Sequence, residues 1–146
     1  MKFAELIEDD GTYVAARFCK ESVRSLVDLQ EQIGVPNPVS PHDLHTTIVY
    51  SRVPIEWEPM THNVPAHVVG YRVFETDAGT DCLVLELDCP SLADRFNEAM
   101  DRGATFDFPS YIPHVTLSYD IGDFSHDALE TPALRLNVAH EYIDDL

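Results

Sequence analysis

The chain has 146 residues, 45% of them hydrophobic and 10% aromatic, which is enough for one domain with a buried core and excludes a disordered polymer. Nine Lys and Arg against 26 Asp and Glu give a formal net charge of −17, which excludes a protein that drapes along DNA or RNA. We expect any phosphate-bearing ligand to be small and enclosed. No apolar run approaches the ~20 residues of a membrane span, and residues 1–12 (MKFAELIEDDGT) lack a signal-peptide core, so we expect a soluble cytoplasmic protein without a membrane partner.

The first half of the chain predicts a strand, a helix, a loop and a second strand. TYVAARFC alternates as a strand does, and ESVRSLVDLQEQIG places its apolar residues on one helical stripe that ends at Gly34. VPNPVSPHDL contains three prolines and predicts an irregular connection. This loop leads into HTTIVYS, whose β-branched residues favour a strand.

The second half repeats this order after a predicted hairpin. HVVGYRVFE and CLVLELDC are strand-like and are joined by a turn through TDAGTD. PSLADRFNEAMDRG predicts a helix with Ser91 as its N-cap and Gly103 at its end. FDFPSYIP leads into HVTLSYD, and LRLNVAHEYI predicts the last strand. We therefore predict an α+β fold, a single domain over residues 1–146 with two pseudo-symmetric lobes.

The pattern His-x-Thr-apolar-x-Tyr occurs twice, beginning at His45 and again at His114. Residues i and i+2 of a strand share a face, so His45 projects together with Thr47, and His114 projects together with Thr116. In such a set one histidine takes a proton from the nucleophile, the other gives one to the leaving oxygen, and the threonines donate to phosphoryl oxygens. A single H-x-T is common by chance and either histidine alone could satisfy a buried hydrogen bond, but the repetition favours metal-free cleavage of a phosphodiester.

The remaining candidate ligands predict neither a metal nor another cofactor. His42 and His45 have H-x-x-H spacing, yet they lie in a proline-rich loop without a recognisable third ligand. The cysteines are three in number and lack CxxC spacing, so we expect small buried hydrophobic residues rather than disulfides or a zinc site. The other four histidines are expected at the surface, and the tyrosines of the two motifs in the core; these residues are His62, His67, His126 and His140, and Tyr50 and Tyr119.

Two H-x-[ST] motifs about half a small chain apart resemble the signature of the two-histidine (2H) phosphoesterase superfamily. The segments GVPNPVSPHDLHTTIVYS and YIPHVTLSYD, in this order of elements, are similar to phage anti-CBASS proteins, which degrade the cyclic oligonucleotide messengers of bacterial anti-phage systems. The resemblance implies antiparallel sheets that line a central cleft, with helices packed outside. It also implies metal-independent cleavage of 3′–5′ bonds in cyclic di- and trinucleotides, with His45, Thr47, His114 and Thr116 as the catalytic set.

Further substrate contacts and the finer function stay open at this stage. Bases stack on aromatic faces, and Tyr13 is preferred for this role over Phe74, Tyr111 and Tyr142, while Glu141 is a candidate acceptor for a base N–H. The alternatives are an RNA 2′,3′-cyclic phosphodiesterase and a non-catalytic protein that sequesters cyclic nucleotides. The sequence leaves open which histidine is the acid, the base preference, the ring size and the oligomeric state.

Overall fold

The computed structural model describes residues 11–145, which form an α+β fold with the predicted order of elements. The strands are β1 Thr12–Phe18, β2 His45–Ser51, β3 Thr61–Glu75, β4 Asp81–Asp88, β5 His114–Ser118 and β6 Arg135–Asp145. The helices are α1 Lys20–Ile33 and α2 Pro90–Asp101, and a short 3₁₀ helix, Pro41–Asp43, precedes β2. Neither α-helix of this described part has the length and apolar character that a membrane crossing requires.

All six strands pair antiparallel in one sheet with the order β2-β1-β6-β3-β4-β5. The order is symmetric about its centre, because each half of the chain contributes one outer, one middle and one central strand. The pairing of β3 with β6 joins the two lobes into one continuous antiparallel sheet. The motif strands β2 and β5 are therefore its two outermost strands.

The helix ends follow local backbone rules, with one correction. Gly34 ends α1 in the left-handed region at φ 68°, where its N–H donates to the carbonyls of Gln30 and Glu31 at 3.1 and 3.2 Å. The prediction of Ser91 as the N-cap of α2 is wrong, because Cys89 is the N-cap and Pro90 already belongs to the first turn. Proline suits that position, since its missing N–H would have no partner there.

The predicted hairpin is confirmed as β3 and β4, whose turn is closed by a hydrogen bond from the Thr76 N–H to the Thr80 carbonyl, 2.8 Å long. Strand β3 begins at Thr61, six residues before the predicted start at His67. Its early part has an irregular register against β6 and contains a residue with positive φ, Asn63 at 49°. Period-2 alternation does not survive such an irregularity, so the sequence does not reveal this part of the strand.

Strands β2 and β5 contact each other although they lie at opposite edges of the sheet. The Val39 N–H, in the loop before β2, donates to the Leu117 carbonyl of β5 at 2.9 Å. The buried Gln30 side chain donates to the Val39 carbonyl at 3.1 Å and to the Leu117 carbonyl at 2.9 Å. In return the Tyr111 hydroxyl, in the loop before β5, donates to the Thr47 carbonyl of β2 at 2.8 Å. We call these contacts the cross-lobe bonds. Each motif strand is thus held by the loop that precedes the other.

Candidate active site

The two motif strands have the same pattern of burial. In β2, His45 and Thr47 are half-buried while the residues on either side of Thr47 are buried, and β5 repeats this with His114 and Thr116. Strand alternation produces the pattern, because the buried residues point into the core and leave the histidine and threonine on the opposite face. The face of β2 that points into the core includes Ile48, which is almost fully buried.

Both histidines are held in the same way by the backbone two residues earlier. The Nδ1 atom of His45 lies 2.7 Å from the Asp43 carbonyl, and the Nδ1 atom of His114 lies 2.8 Å from the Ile112 carbonyl. A carbonyl oxygen only accepts, so Nδ1 carries a hydrogen in both rings. The atom left for proton transfer is therefore Nε2 in each case.

The environment of His114 favours its neutral form. Burial lowers the pKa of His114 below its usual value of 6.5, and the charge of nearby His45 lowers this pKa further. The hydrogen bond to the Ile112 carbonyl opposes the shift without reversing it. At neutral pH His114 is therefore suited to accept a proton.

Thr47 is positioned through both its side chain and its backbone. Its Oγ1 atom lies 2.9 Å from the Tyr13 hydroxyl, and its carbonyl accepts the cross-lobe bond from Tyr111. Burial raises the pKa of Tyr13 to about 12, although the hydrogen bond to Thr47 lowers it, so the phenol keeps its proton. The Tyr13 ring also meets the His45 ring edge-on, with 6.4 Å between centroids.

The tyrosines of the two motifs are exposed, so their prediction as core residues is wrong. Tyr50 is 53% exposed and Tyr119 is 49% exposed. In each motif strand the pairing register skips one residue directly after the threonine, Ile48 in β2 and Leu117 in β5. Such a bulge turns the residue three positions after the threonine onto the threonine's own face.

A cavity of about 590 Å³ opens beside His45. Tyr13 and Tyr142, two of the four aromatic candidates, line it, whereas Phe74 meets the His114 ring edge-on at 5.2 Å and Tyr111 stacks on another aromatic ring. The cavity is lined by Tyr13, Arg17, Asn37, Pro38, Val39, Ser40, His42, Asp43, His45, Tyr119, Asp120, Tyr142 and Asp144. His114 and the two motif threonines are not among these lining residues.

Arg17 is a site residue that the sequence analysis did not identify. It is the cross-strand partner of His45, its Nη1 donates to the His42 carbonyl at 2.8 Å, and its guanidinium lies 4.5 Å from the centre of the Tyr142 ring. The only feature of the sequence that could have indicated Arg17 is strand alternation, because Arg17 lies four residues after Tyr13 and so shares its face of the strand. A lone arginine on a strand carries too little information to be singled out.

Glu141 lies away from this cavity, which corrects its prediction as a substrate contact. Its side chain is 0% exposed and accepts two hydrogen bonds from Arg95, both 2.7 Å, together with one from Trp57 at 3.0 Å and one involving His62 at 2.7 Å. The next residue, Tyr142, reaches the cavity instead, because neighbouring residues of a strand point to opposite faces. His62 is also buried, so its prediction as a surface residue is wrong. We refer to these buried side chains as the Glu141 cluster.

Together the described side chains offer two proton-transfer groups, two hydroxyls and one arginine near a cavity large enough for a small ligand. No three His, Cys, Asp or Glu residues within 11–145 are grouped so that they could hold a metal ion. The geometry suits transfer of protons to and from the oxygens of a phosphate ester.

Comparisons with known proteins find a family model, related proteins and solved structures that match this chain. A family model described as anti-CBASS protein Acb1 matches residues 10–146. The protein of that name from Acinetobacter phage Ac42 is 40% identical over 150 residues, which cover 100% of this chain and 96% of the phage protein. The one from Escherichia phage RB16 is 43% identical over 121 residues, which cover 82% of this chain and 69% of that protein. Crystal structures of E. coli LigT, apo and complexed with 3′-AMP, superpose with TM-scores of 0.52 and 0.56 at 15% and 14% identity, each over 92% of this chain and 86% of LigT. The likeness to LigT shows that the fold is shared.

We expect Glu141→Gln to destabilise the protein strongly, because it removes the fully buried carboxylate partner of Arg95 and leaves the guanidinium paired with Glu98, whose side chain is 39% exposed. Loss of one partner of a buried pair costs about 3–5 kcal/mol, which urea unfolding at pH 7 measures as a change in the free energy of unfolding. Burial alone would raise the pKa of Glu141, but hydrogen bonds from Arg95, His62 and Trp57 hold it below its usual value of 4.5. A lowered carboxyl pKa contributes stability above pH 4.5 that is lost as the pH falls below it.

The difference between wild type and Glu141→Gln should therefore shrink below pH 4.5. Glu31→Gln is the matched control, because Glu31 is an exposed residue on α1. A Glu141→Gln variant as stable as this control at pH 7 would contradict the role of the Glu141 cluster.

Proposed function

The chain belongs to the family of anti-CBASS protein Acb1, and we propose that it is a metal-independent phosphodiesterase that cleaves 3′–5′ bonds in cyclic di- or trinucleotide messengers. The observation that carries this proposal is the matched pair of histidines, each tied by Nδ1 to a backbone carbonyl and each followed by a threonine on the same face. Two supporting observations are the net charge of −17, which disfavours a long nucleic acid, and a cavity of about 590 Å³, which suits a small ligand. Its action lies in the cytoplasm of the cell that makes the messengers.

The two histidines take different roles in the first step. His114 is the general base, because its lowered pKa leaves Nε2 free to accept a proton at neutral pH. His45 is the general acid, since the leaving oxygen needs a proton donor and the strand of His45 contacts that of His114 from the opposite edge of the sheet. Each ring keeps one orientation because its Nδ1–H donates to the backbone.

The bond changes follow from these roles. His114 takes the proton from the ribose 2′-OH next to the scissile phosphate, and the 2′ oxygen forms a new bond to phosphorus. The bond between phosphorus and the 5′ oxygen breaks, and His45 gives its proton to that oxygen. The products of this step are a 2′,3′-cyclic phosphate and a free 5′-OH, and water then opens the cyclic phosphate to leave a linear nucleotide.

The threonines stabilise the phosphoryl group during this exchange. The Tyr13 hydroxyl can donate to Oγ1 of Thr47, which leaves the Thr47 proton for a non-bridging oxygen of the phosphate. Thr116 has the equivalent position on β5 and serves the same group from the other lobe. The rings of Tyr13 and Tyr142 offer aromatic surface for a base in the cavity.

The deciding experiment incubates the protein with a panel of cyclic di- and trinucleotides in EDTA and identifies the products by mass spectrometry. We expect linear products from wild type, because no step needs a metal. His45→Ala and His114→Ala should each lower turnover by at least about 100-fold, since each removes one proton-transfer group, while binding of the intact ligand is largely kept.

Three other outcomes of this panel would contradict the proposal. If wild type binds the cyclic nucleotides and returns them unaltered, the protein sequesters messengers without cutting them. Faster turnover of a 2′,3′-cyclic mononucleotide than of any cyclic dinucleotide would favour the RNA 2′,3′-cyclic phosphodiesterase. Loss of all cleavage in EDTA, restored by added metal, would point to a different mechanism.

A cyclic dinucleotide whose two sugars are both 2′-deoxy should resist cleavage, because neither phosphate then has an internal nucleophile beside it. The matched control is the ring with the same bases and two ribose sugars, which should be cleaved. Product analysis by mass spectrometry measures both. Equal cleavage of the two ligands would show that water, rather than the 2′-OH, attacks the phosphate.

The pKa of His114, measured by NMR titration of its ring proton, should lie below 6.5. In the His45→Asn variant this pKa should rise, because the neighbouring positive charge is gone, yet stay below 6.5 since burial remains. The acid limb of the wild-type profile of kcat/KM against pH should follow the same pKa, with activity lost as His114 becomes protonated. A His114 pKa above 6.5 would exchange the roles of the two histidines.

A further inference from the structure

We propose that Arg17 binds a second phosphate of the cyclic substrate, one that is not being cleaved. This inference rests on the proposed function and adds to it a subsite that distinguishes cyclic substrates from substrates with one phosphate. A cyclic oligonucleotide carries one phosphate per nucleotide, so a ring with one phosphate between the histidines presents at least one more to the neighbouring surface.

The backbone register places Arg17 next to the catalytic histidine without making it part of the histidine and threonine set. Arg17 of β1 is paired with His45 of β2, one strand further into the sheet. Neighbouring strands lie about 4.8 Å apart, so the guanidinium serves a position beside the scissile phosphate. In the proposed mechanism the histidines and threonines of the two edge strands already act on the scissile phosphate.

The guanidinium is oriented before any ligand arrives. One nitrogen, Nη1, donates to the His42 carbonyl, and the plane lies over the Tyr142 ring at 4.5 Å. A guanidinium has five N–H donors, so most remain for a ligand although Arg17 is held. A planar donor group fixed in this way can bind two phosphate oxygens at once.

The charged residues that line the cavity leave Arg17 as the side chain that can attract an anion to it. Among the described residues that line it, Arg17 is the sole Arg or Lys, whereas Asp43, Asp120 and Asp144 are carboxylates. A phosphate is repelled by these carboxylates and by the overall charge of −17. The position beside Arg17 is where a phosphate away from the histidines finds a countercharge.

The test compares two substrates with the same scissile bond. One is a cyclic dinucleotide with two phosphates, and the other is a dinucleoside 3′,5′-monophosphate with one. Arg17→Gln, which keeps an N–H donor for the His42 carbonyl, should lower kcat/KM for the cyclic dinucleotide by about 10- to 100-fold, the value of a charge-assisted hydrogen bond. Its kcat/KM for the dinucleoside monophosphate should change by less than about 3-fold, because that substrate leaves the subsite empty.

The matched control is Arg24→Gln, since Arg24 is exposed on α1, does not line the cavity, and its loss changes the net charge equally. Arg17→Lys keeps the charge without the planar fork, so its loss should be smaller than that of Arg17→Gln. The slope of log kcat/KM against log salt for the cyclic substrate should flatten by about one in Arg17→Gln and be unchanged in Arg24→Gln.

Two results would overturn the proposal. Equal losses on both substrates would mean that Arg17 acts on the scissile phosphate or only supports the fold, and no loss on the cyclic dinucleotide would mean that it contacts no phosphate. Failure of the proposed function itself looks different, because wild type would then leave the cyclic dinucleotide uncut. Thermal unfolding of each variant verifies that the compared proteins are folded.

Discussion

The site depends on one constraint, the approach of the two outermost strands of a six-stranded sheet. Five inter-strand spacings of about 4.8 Å would separate β2 and β5 by about 24 Å if the sheet were flat. No phosphate could touch both histidines across such a distance. The sheet instead curves until its edges meet, and the cross-lobe bonds hold them there. Positioning of the candidate catalytic groups is therefore a property of the whole sheet.

The internal symmetry explains how two small lobes form one body. Each half of the chain builds strand, helix and motif strand, and then sends its last strand to the sheet of the other half. Strand β3 pairs with β4, and β6 pairs with β1, while β3 and β6 pair with each other at the centre. Neither lobe has its full set of strands without the other half, so the lobes fold together and the cleft between them keeps its shape.

The sequence predicts the order of elements and the placement of the catalytic candidates, because both depend on short-range rules. Strand alternation is enough to put His45 beside Thr47 on one face, and a glycine with positive φ is enough to end α1. These features need no knowledge of distant residues. The prediction that the four motif residues act in catalysis is a separate matter, which the experiments on the histidine variants test.

Features that depend on distant partners are not predictable in this way. The exposure of Tyr50 and Tyr119 follows from a bulge, which a local pattern does not reveal. Burial of Glu141 and His62 follows from Arg95, which lies on α2, 46 residues before Glu141, and supplies the countercharge. Without that partner the sequence places a glutamate and a histidine at the surface, because a lone buried charge is unfavourable.

The backbone ties on the two histidines have a further consequence for the complete reaction cycle. Both rings are tied to the backbone through Nδ1, which leaves Nε2 of each for proton transfer, and the first step leaves His114 protonated and His45 neutral in the proposed mechanism. This is the charge state needed for the second step, in which His45 activates water and His114 protonates the 2′ oxygen. Hydrolysis of the intermediate then restores the starting state, so the pair completes a turnover without exchanging a proton with bulk solvent between the steps.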